Sequence, residues 1–164
     1  MPPAKQGIIV QIAQQFDGLN VRAANIEKLV KTVCRRFDLA GATVSIAIVG
    51  DRRFAEVNSR FRGSKVTSDC LSFDLSGNGE AHFELVVNGE MAVKQANLRK
   101  HPGEAELALY ITHGLLHNLG FNDATETQAK QIHQTEDEIL QQVGYGVVYN
   151  TQIRAEHRRR RIDQ

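Results

Sequence analysis

Tryptophan is absent from this chain, and its 164 residues include only three tyrosines and seven phenylalanines. Proteins that hold single-stranded nucleic acid by stacking its bases build aromatic platforms. So few rings argue against that mode, and Phe61 and Phe73 are expected in the core. Only two cysteines occur, Cys34 and Cys70, without the paired spacing of a thiolate metal site or a disulfide framework. Both stand among apolar residues and are read as small core residues of a reduced protein. No apolar run approaches the ~18 residues of a membrane span. The opening Met1-Pro-Pro-Ala-Lys-Gln6 lacks the apolar stretch of a secretory leader. A cytoplasmic location with no membrane partner is therefore expected. Net charge is only +1, so no global basic field draws in nucleic acid.

What is present fits one domain. Hydrophobic residues make up 41% and charged residues 24%, ordinary values for a globular chain long enough to bury a core. Residues 1–150 are expected to form that domain. Residues 151–164, with Arg154-Ala-Glu-His157-Arg-Arg-Arg-Arg161, form a basic tail expected to be disordered. Such a tail could also tether phosphates.

Periodicity supplies the elements. Gly7 to Gln14, Thr43 to Val49, Leu71 to Leu75 and Ala81 to Val87 read as strands. Asn25 to Phe37 has helical spacing, and Asp51 is placed to cap a short helix using Phe54, Val57 and Phe61. Ser76-Gly-Asn-Gly79 and Asn88-Gly89 read as turns. Helices are predicted over Ala92 to Arg99 and Glu104 to Leu119, separated by His101-Pro-Gly103. A last helix begins at Thr125 or Thr127, carries Ala129, Ile132, Glu136, Ile139, Leu140 and Val143 on one side, and ends at Gly144. The pattern predicts a small α+β domain: about four strands in one mixed sheet with helices packed on it.

The stretch that carries chemistry is His113-Gly-Leu-Leu-His117-Asn-Leu-Gly120-Phe-Asn-Asp123. Histidines four apart stand on one helix face, a turn apart. Gly120 lets the chain leave the helix and double back, so Asp123 can offer a third ligand. Two imidazoles and a carboxylate leave a coordination position open, as catalytic metal sites do. The glutamate that follows the first histidine in metalloproteases is missing, replaced by Gly114. No general base is evident in the motif.

Motifs in fixed order resemble the bacterial YbeY family, metal-dependent endoribonucleases of ribosomal RNA maturation and ribosome quality control. The family's Asn-x-x-Tyr-Arg is here Asn58-Ser-Arg-Phe61-Arg62. Its Thr-Asp-Val-Leu-Ser-Phe is Ser68-Asp69-Cys70-Leu71-Ser72-Phe73. Its His-Gly-x-Leu-His-x-x-Gly-Tyr-Asp-His is the histidine stretch above. The resemblance spans roughly Gly7 to Gly144 and implies a zincin-like domain with a metal site at the end of a buried helix. It implies one divalent ion, Zn2+ first among candidates, and RNA of the ribosome as partner. Arg62 is then the catalytic, phosphate-clamping residue, because its planar fork matches phosphate oxygens. Ser72 would join it in binding substrate, while Asp69 would fix a loop.

The family's last histidine is here Asp123. The aspartate is expected to ligate in its place. His133 is the nearest substitute, and a decayed site kept for RNA or ribosome binding is a third possibility. A hydrolase of another phosphoester is also open. A carboxylate ligand makes bound water less acidic and favours harder ions such as manganese or iron. With few aromatics, affinity would come from phosphate contacts by Arg52, Arg53, Arg60, Arg62 and Lys65, and would fall steeply with salt.

Overall fold

The structure is a computed structural model that describes residues 7–62, 69–146 and 148; the Arg62 side chain lies outside the described part. Strands β1 (Ile9–Gln14), β2 (Thr43–Val49), β3 (Cys70–Asp74) and β4 (His82–Asn88) form one sheet in the order β1-β2-β4-β3. The first three neighbours run parallel, and β3 is the antiparallel edge strand. Parallel neighbours need crossovers, which α1 (Ala23–Arg36) and α2 (Asp51–Arg62) help to provide. The helices α3 (Gly89–Arg99), α4 (Gly103–Asn118) and α5 (Glu126–Gln142) follow the sheet in sequence.

Side-chain alternation gives the sheet two different faces. Val44, Ile46 and Ile48 of β2 and Phe83, Leu85 and Val87 of β4 face the main core with α1, α4 and α5. Ala47, Val49, Leu71, Phe73 and Val86 face the other way, where Phe54 and Val57 of α2 cover them in a smaller cluster. Phe73 thus packs as expected, but Phe61 does not. It is 65% exposed at the end of α2 and meets Phe73 edge-to-face at 5.2 Å.

The centre of the molecule is α4. Its residues from Ala105 to Leu116 are buried almost without interruption, so the helix is apolar all round. It lies on β3 and β4 and is flanked by α1, α3 and α5. Full burial of each Leu or Ile here contributes on the order of 1.5–3 kcal/mol. That face comes close to the sheet at Gly114. A Cβ there would stand 2.7 Å from Cys70 Sγ, 3.3 Å from Leu85 Cδ2 and 3.6 Å from Ser72 Cβ. The residue that replaces the protease glutamate is therefore a packing requirement, with no room for a larger side chain.

Two sequence expectations need correction. Asn88-Gly89 is not a free turn. Asn88 ends β4 and caps α3 by accepting from Met91 N at 3.0 Å, and Gly89 is already helical. A turn dipeptide and an N-cap use the same Asn chemistry, which local sequence cannot separate. Asp51 is the first residue of α2 rather than its cap. Its carboxylate turns outward to Asn88 Nδ2 at 3.0 Å and Lys94 Nζ at 2.6 Å, tying α2 to α3.

Candidate metal centre

The motif's histidines sit at the C-terminal end of α4, where the helix leaves its apolar surroundings. The chain then turns sharply. Gly120 N donates to His117 O and Phe121 N to Leu116 O, with Gly120 at φ +95°. This is the glycine-dependent closure that caps many helices. The ring of Phe121 packs edge-to-face on Phe37 at 5.7 Å, which anchors the turn. Asp123 is thereby returned toward the helix it has just left.

The structure brings the donor atoms of His113, His117 and Asp123 together. Nε2 of His113 and Nε2 of His117 are 2.8 Å apart. Asp123 Oδ2 is 3.7 Å from the first and 3.9 Å from the second. Ligands of a tetrahedral first-row ion stand ~3.4 Å apart, given bonds of about 2.0–2.2 Å. The two longer separations suit that geometry, and the imidazole pair need only open slightly. The three side chains are 31%, 32% and 50% exposed, so the cluster faces solvent.

Behind it lies a carboxylate that the sequence reading left on the apolar side of α5. Glu136 is 1% exposed, and its Oε1 is 3.0 Å from His113 Nδ1 and 2.9 Å from His133 Nδ1. His133 stacks beside His113 with ring centroids 6.1 Å apart. The atoms of His113, His133 and Glu136 thus form a second group close enough to hold an ion. The signal for Glu136 was available in the sequence: a glutamate between Ile132 and Ile139 on an otherwise apolar stripe needs a partner.

Charge is distributed unevenly over this cluster. Burial opposes charging of His113, but the Glu136 hydrogen bond and charge outweigh it, with Asp123 and Asp69 adding to the pull, and its pKa rises above 6.5. His117 moves down, first because burial disfavours its charged form and then because His113 stands beside it. Burial would raise Glu136; the hydrogen bonds from His113 and His133 prevail and hold it below 4.5. An ionised carboxylate accepts only, so His113 Nδ1 carries a hydrogen. The two Nε2 atoms face each other at 2.8 Å, where a cation would bind both.

The remaining sequence candidates are placed as follows. Ser72 lies on the helix-facing side of β3 beneath Gly114, its Cβ 3.6 Å from where a Gly114 Cβ would stand. Arg62 is the last residue of α2. Lys65, Ser68 and the arginine-rich tail lie outside the described residues. Asp69 precedes β3, and its carbonyl accepts from Asn88 N at 2.9 Å, which extends the β3–β4 ladder. Its carboxyl is pushed up by burial and by Glu106.

An α+β domain with a mixed four-stranded sheet and a solvent-facing His-x-x-x-His helix end defines a class: small domains built around a helix-borne metal-type ligand set. Comparison with known proteins narrows it. Residues 11–144 match the family described as endoribonuclease YbeY, and the chain belongs to that family. It is 31% identical over 136 residues to endoribonuclease YbeY of Bacillus licheniformis, covering 75% of this chain and 86% of that one. It is 35% identical over 108 residues to the same-named protein of an Anaeromyxobacter species, covering 64% of this chain and 56% of the longer relative. A protein of Thermotoga maritima known from its solution structure superposes with a TM-score of 0.55 at 20% identity, over 82% of this chain and 91% of that one. That likeness concerns the fold. No helix among the described residues is long and apolar enough to cross a membrane.

Proposed function

We propose that the protein is a metal-dependent endoribonuclease that cuts single-stranded RNA, acting in ribosomal RNA maturation and ribosome quality control in the cytoplasm. One observation carries the reading: two Nε2 atoms and one carboxylate oxygen converge within 3.9 Å at a solvent-facing helix end. Membership of the endoribonuclease family supplies the substrate class.

The donor set suits a divalent ion, and an orphaned atom supports the fit. Glu136 Oε2 is buried without a hydrogen-bond partner among the described residues, so behind His113 stands negative charge whose ion-pair partners there are imidazoles. His113, His117 and Asp123 would hold one ion, Zn2+ by preference for the two nitrogens. When bound, such an ion acts as a Lewis acid toward a phosphoryl oxygen or lowers the pKa of water. Arg62 clamps the phosphodiester with its guanidinium fork. Ser72 binds substrate from β3. Asp123 brings a negative charge that a third imidazole would not, which shifts the working pH upward.

The test uses end-labelled single-stranded ribosomal RNA with protein loaded with Zn2+ or Mn2+. Wild type is expected to cut it. The His117→Ala and Asp123→Ala variants should lose metal and at least ~100-fold in rate, a barrier increase of about 2.7 kcal/mol. Asp123→His should retain both. Undiminished cutting by His117→Ala, or after chelation, would overturn the metal-dependent reading. RNA binding without cutting would replace it with a binding protein. Cutting only of small phosphoesters would change the substrate class.

A further inference from the structure

We propose that Glu136 is the positioning residue of the metal centre: its carboxylate holds His113 with a hydrogen on Nδ1 and keeps Nε2 aimed at the ion. This rests on the reading of His113, His117 and Asp123 as the ligand set.

The geometry points one way. Glu136 Oε1 lies 3.0 Å from His113 Nδ1. The opposite tautomer would set an acceptor nitrogen against an acceptor oxygen at that distance. With the hydrogen on Nδ1, the Nε2 lone pair is the one that faces His117 Nε2 at 2.8 Å and Asp123 Oδ2 at 3.7 Å. Metal-bound histidines commonly donate their other ring N–H to a carboxylate, which orients the ring and makes it a stronger donor. His133 contributes to the same support. It donates to the same oxygen at 2.9 Å, and its ring lies 17° from parallel with that of His113. His133 is thus engaged through Glu136, on the side of His113 away from the donor cluster.

A carboxylate that served packing alone would be out of place here. Glu136 is 1% exposed, and its ion pairs among the described residues are with imidazoles, none with lysine or arginine. Its second oxygen is buried and has no hydrogen-bond partner among the described residues. A divalent ion held by His113, His117 and Asp123 would supply positive charge to this arrangement through the His113 ring.

The metal-free protein is titrated with Co2+, whose visible bands report ligand geometry, and Zn2+ is then used to displace it and give an affinity. Glu136→Gln keeps the shape and one acceptor but removes the charge. It should weaken binding ~10- to 100-fold and shift the cobalt bands, and Glu136→Asp should recover part of the loss. Nitrogen-15 spectra of the zinc-loaded wild type check the tautomer without any variant. They should show His113 carrying its hydrogen on Nδ1. Equal affinity and an identical spectrum in Glu136→Gln would overturn the proposal while leaving the ligand set standing; a hydrogen on Nε2 of zinc-loaded His113 would overturn both, because a nitrogen that carries hydrogen cannot ligate. If wild type and variants alike bind neither Co2+ nor Zn2+, the ligand set falls and the proposal falls with it.

Discussion

The two ends of α4 carry similar chemistry and use it differently. Near its start, Glu106 is fully buried and its Oε1 accepts from Arg99 Nη1 at 2.8 Å and His101 Nε2 at 2.6 Å. Near its end, His113 and a histidine from α5 meet Glu136 in the same one-oxygen, two-donor pattern. The second oxygen of either carboxylate has no hydrogen-bond partner among the described residues. A buried carboxylate beside a histidine therefore identifies nothing by itself. What differs is the source of positive charge and the direction of the unused nitrogens. Glu106 has a permanent cation, and its cluster is closed: Arg99 is 17% and His101 14% exposed. Among the described residues Glu136 pairs only with imidazoles, and the His113 Nε2 atom joins two further donors at the surface. One end is closed as an ion pair; the other leaves the donor atoms of His113, His117 and Asp123 together at the surface.

The sharpest way to break this contrast is Glu106→Ala. Removing one side of a buried pair strands Arg99, and the loss should be about 3–5 kcal/mol in urea denaturation. Zinc affinity should stay within about twofold, a difference below ~0.5 kcal/mol. If affinity falls with stability, the two ends are one network and the comparison fails. A smaller effect is expected at Gly114→Ala, next to His113 in α4. The added methyl meets Cys70 Sγ at 2.7 Å, so overpacking of about 1–3 kcal/mol should appear. Cys70→Ala in that background should return part of it, and additive losses would show that the clash is not with Cys70.

The smallest effect lies in the pH dependence of the metal-free protein. Glu136 has a folded pKa below its ordinary 4.5, so it stabilises above 4.5 and that contribution is lost as pH falls through the folded value. His113 is shifted upward, so its contribution is full below 6.5 and is lost as pH rises through its folded pKa. Thermal unfolding across both windows should therefore show an acid and an alkaline limb, each flatter in Glu136→Gln. Parallel profiles for wild type and variant would mean that the carboxylate does not govern the His113 ring.

The sequence displays the framework well because the framework is made of periodic patterns. Val44, Ile46 and Ile48 alternate, and they line the core face of β2. The turn at Gly120 was equally plain, since only a helix exit at that offset brings Asp123 back. Contacts between elements were less legible. Glu136 and His113 are 23 positions apart, and nothing local to either shows that α5 docks on α4. Glu106, inside a run of apolar residues, is likewise explained only by Arg99 and His101 across the α3–α4 bend. Phe61 misled because its helical spacing matches that of Phe54 and Val57, yet it stands at the rim of the small cluster, touching Phe73 by an edge while most of its ring is exposed.

The placement of Glu136 on α5 also sets an order of events in synthesis. A chain made from its N-terminus exposes both histidines of α4 before α5 exists, but the group that orients His113 arrives with the last described helix. The capping box of Thr125 and Gln128 lets that helix start as a local unit, and it must then dock before the ring is held. A chain that assembles in this order has no carboxylate at His113 until α5 has been made and has packed against α4.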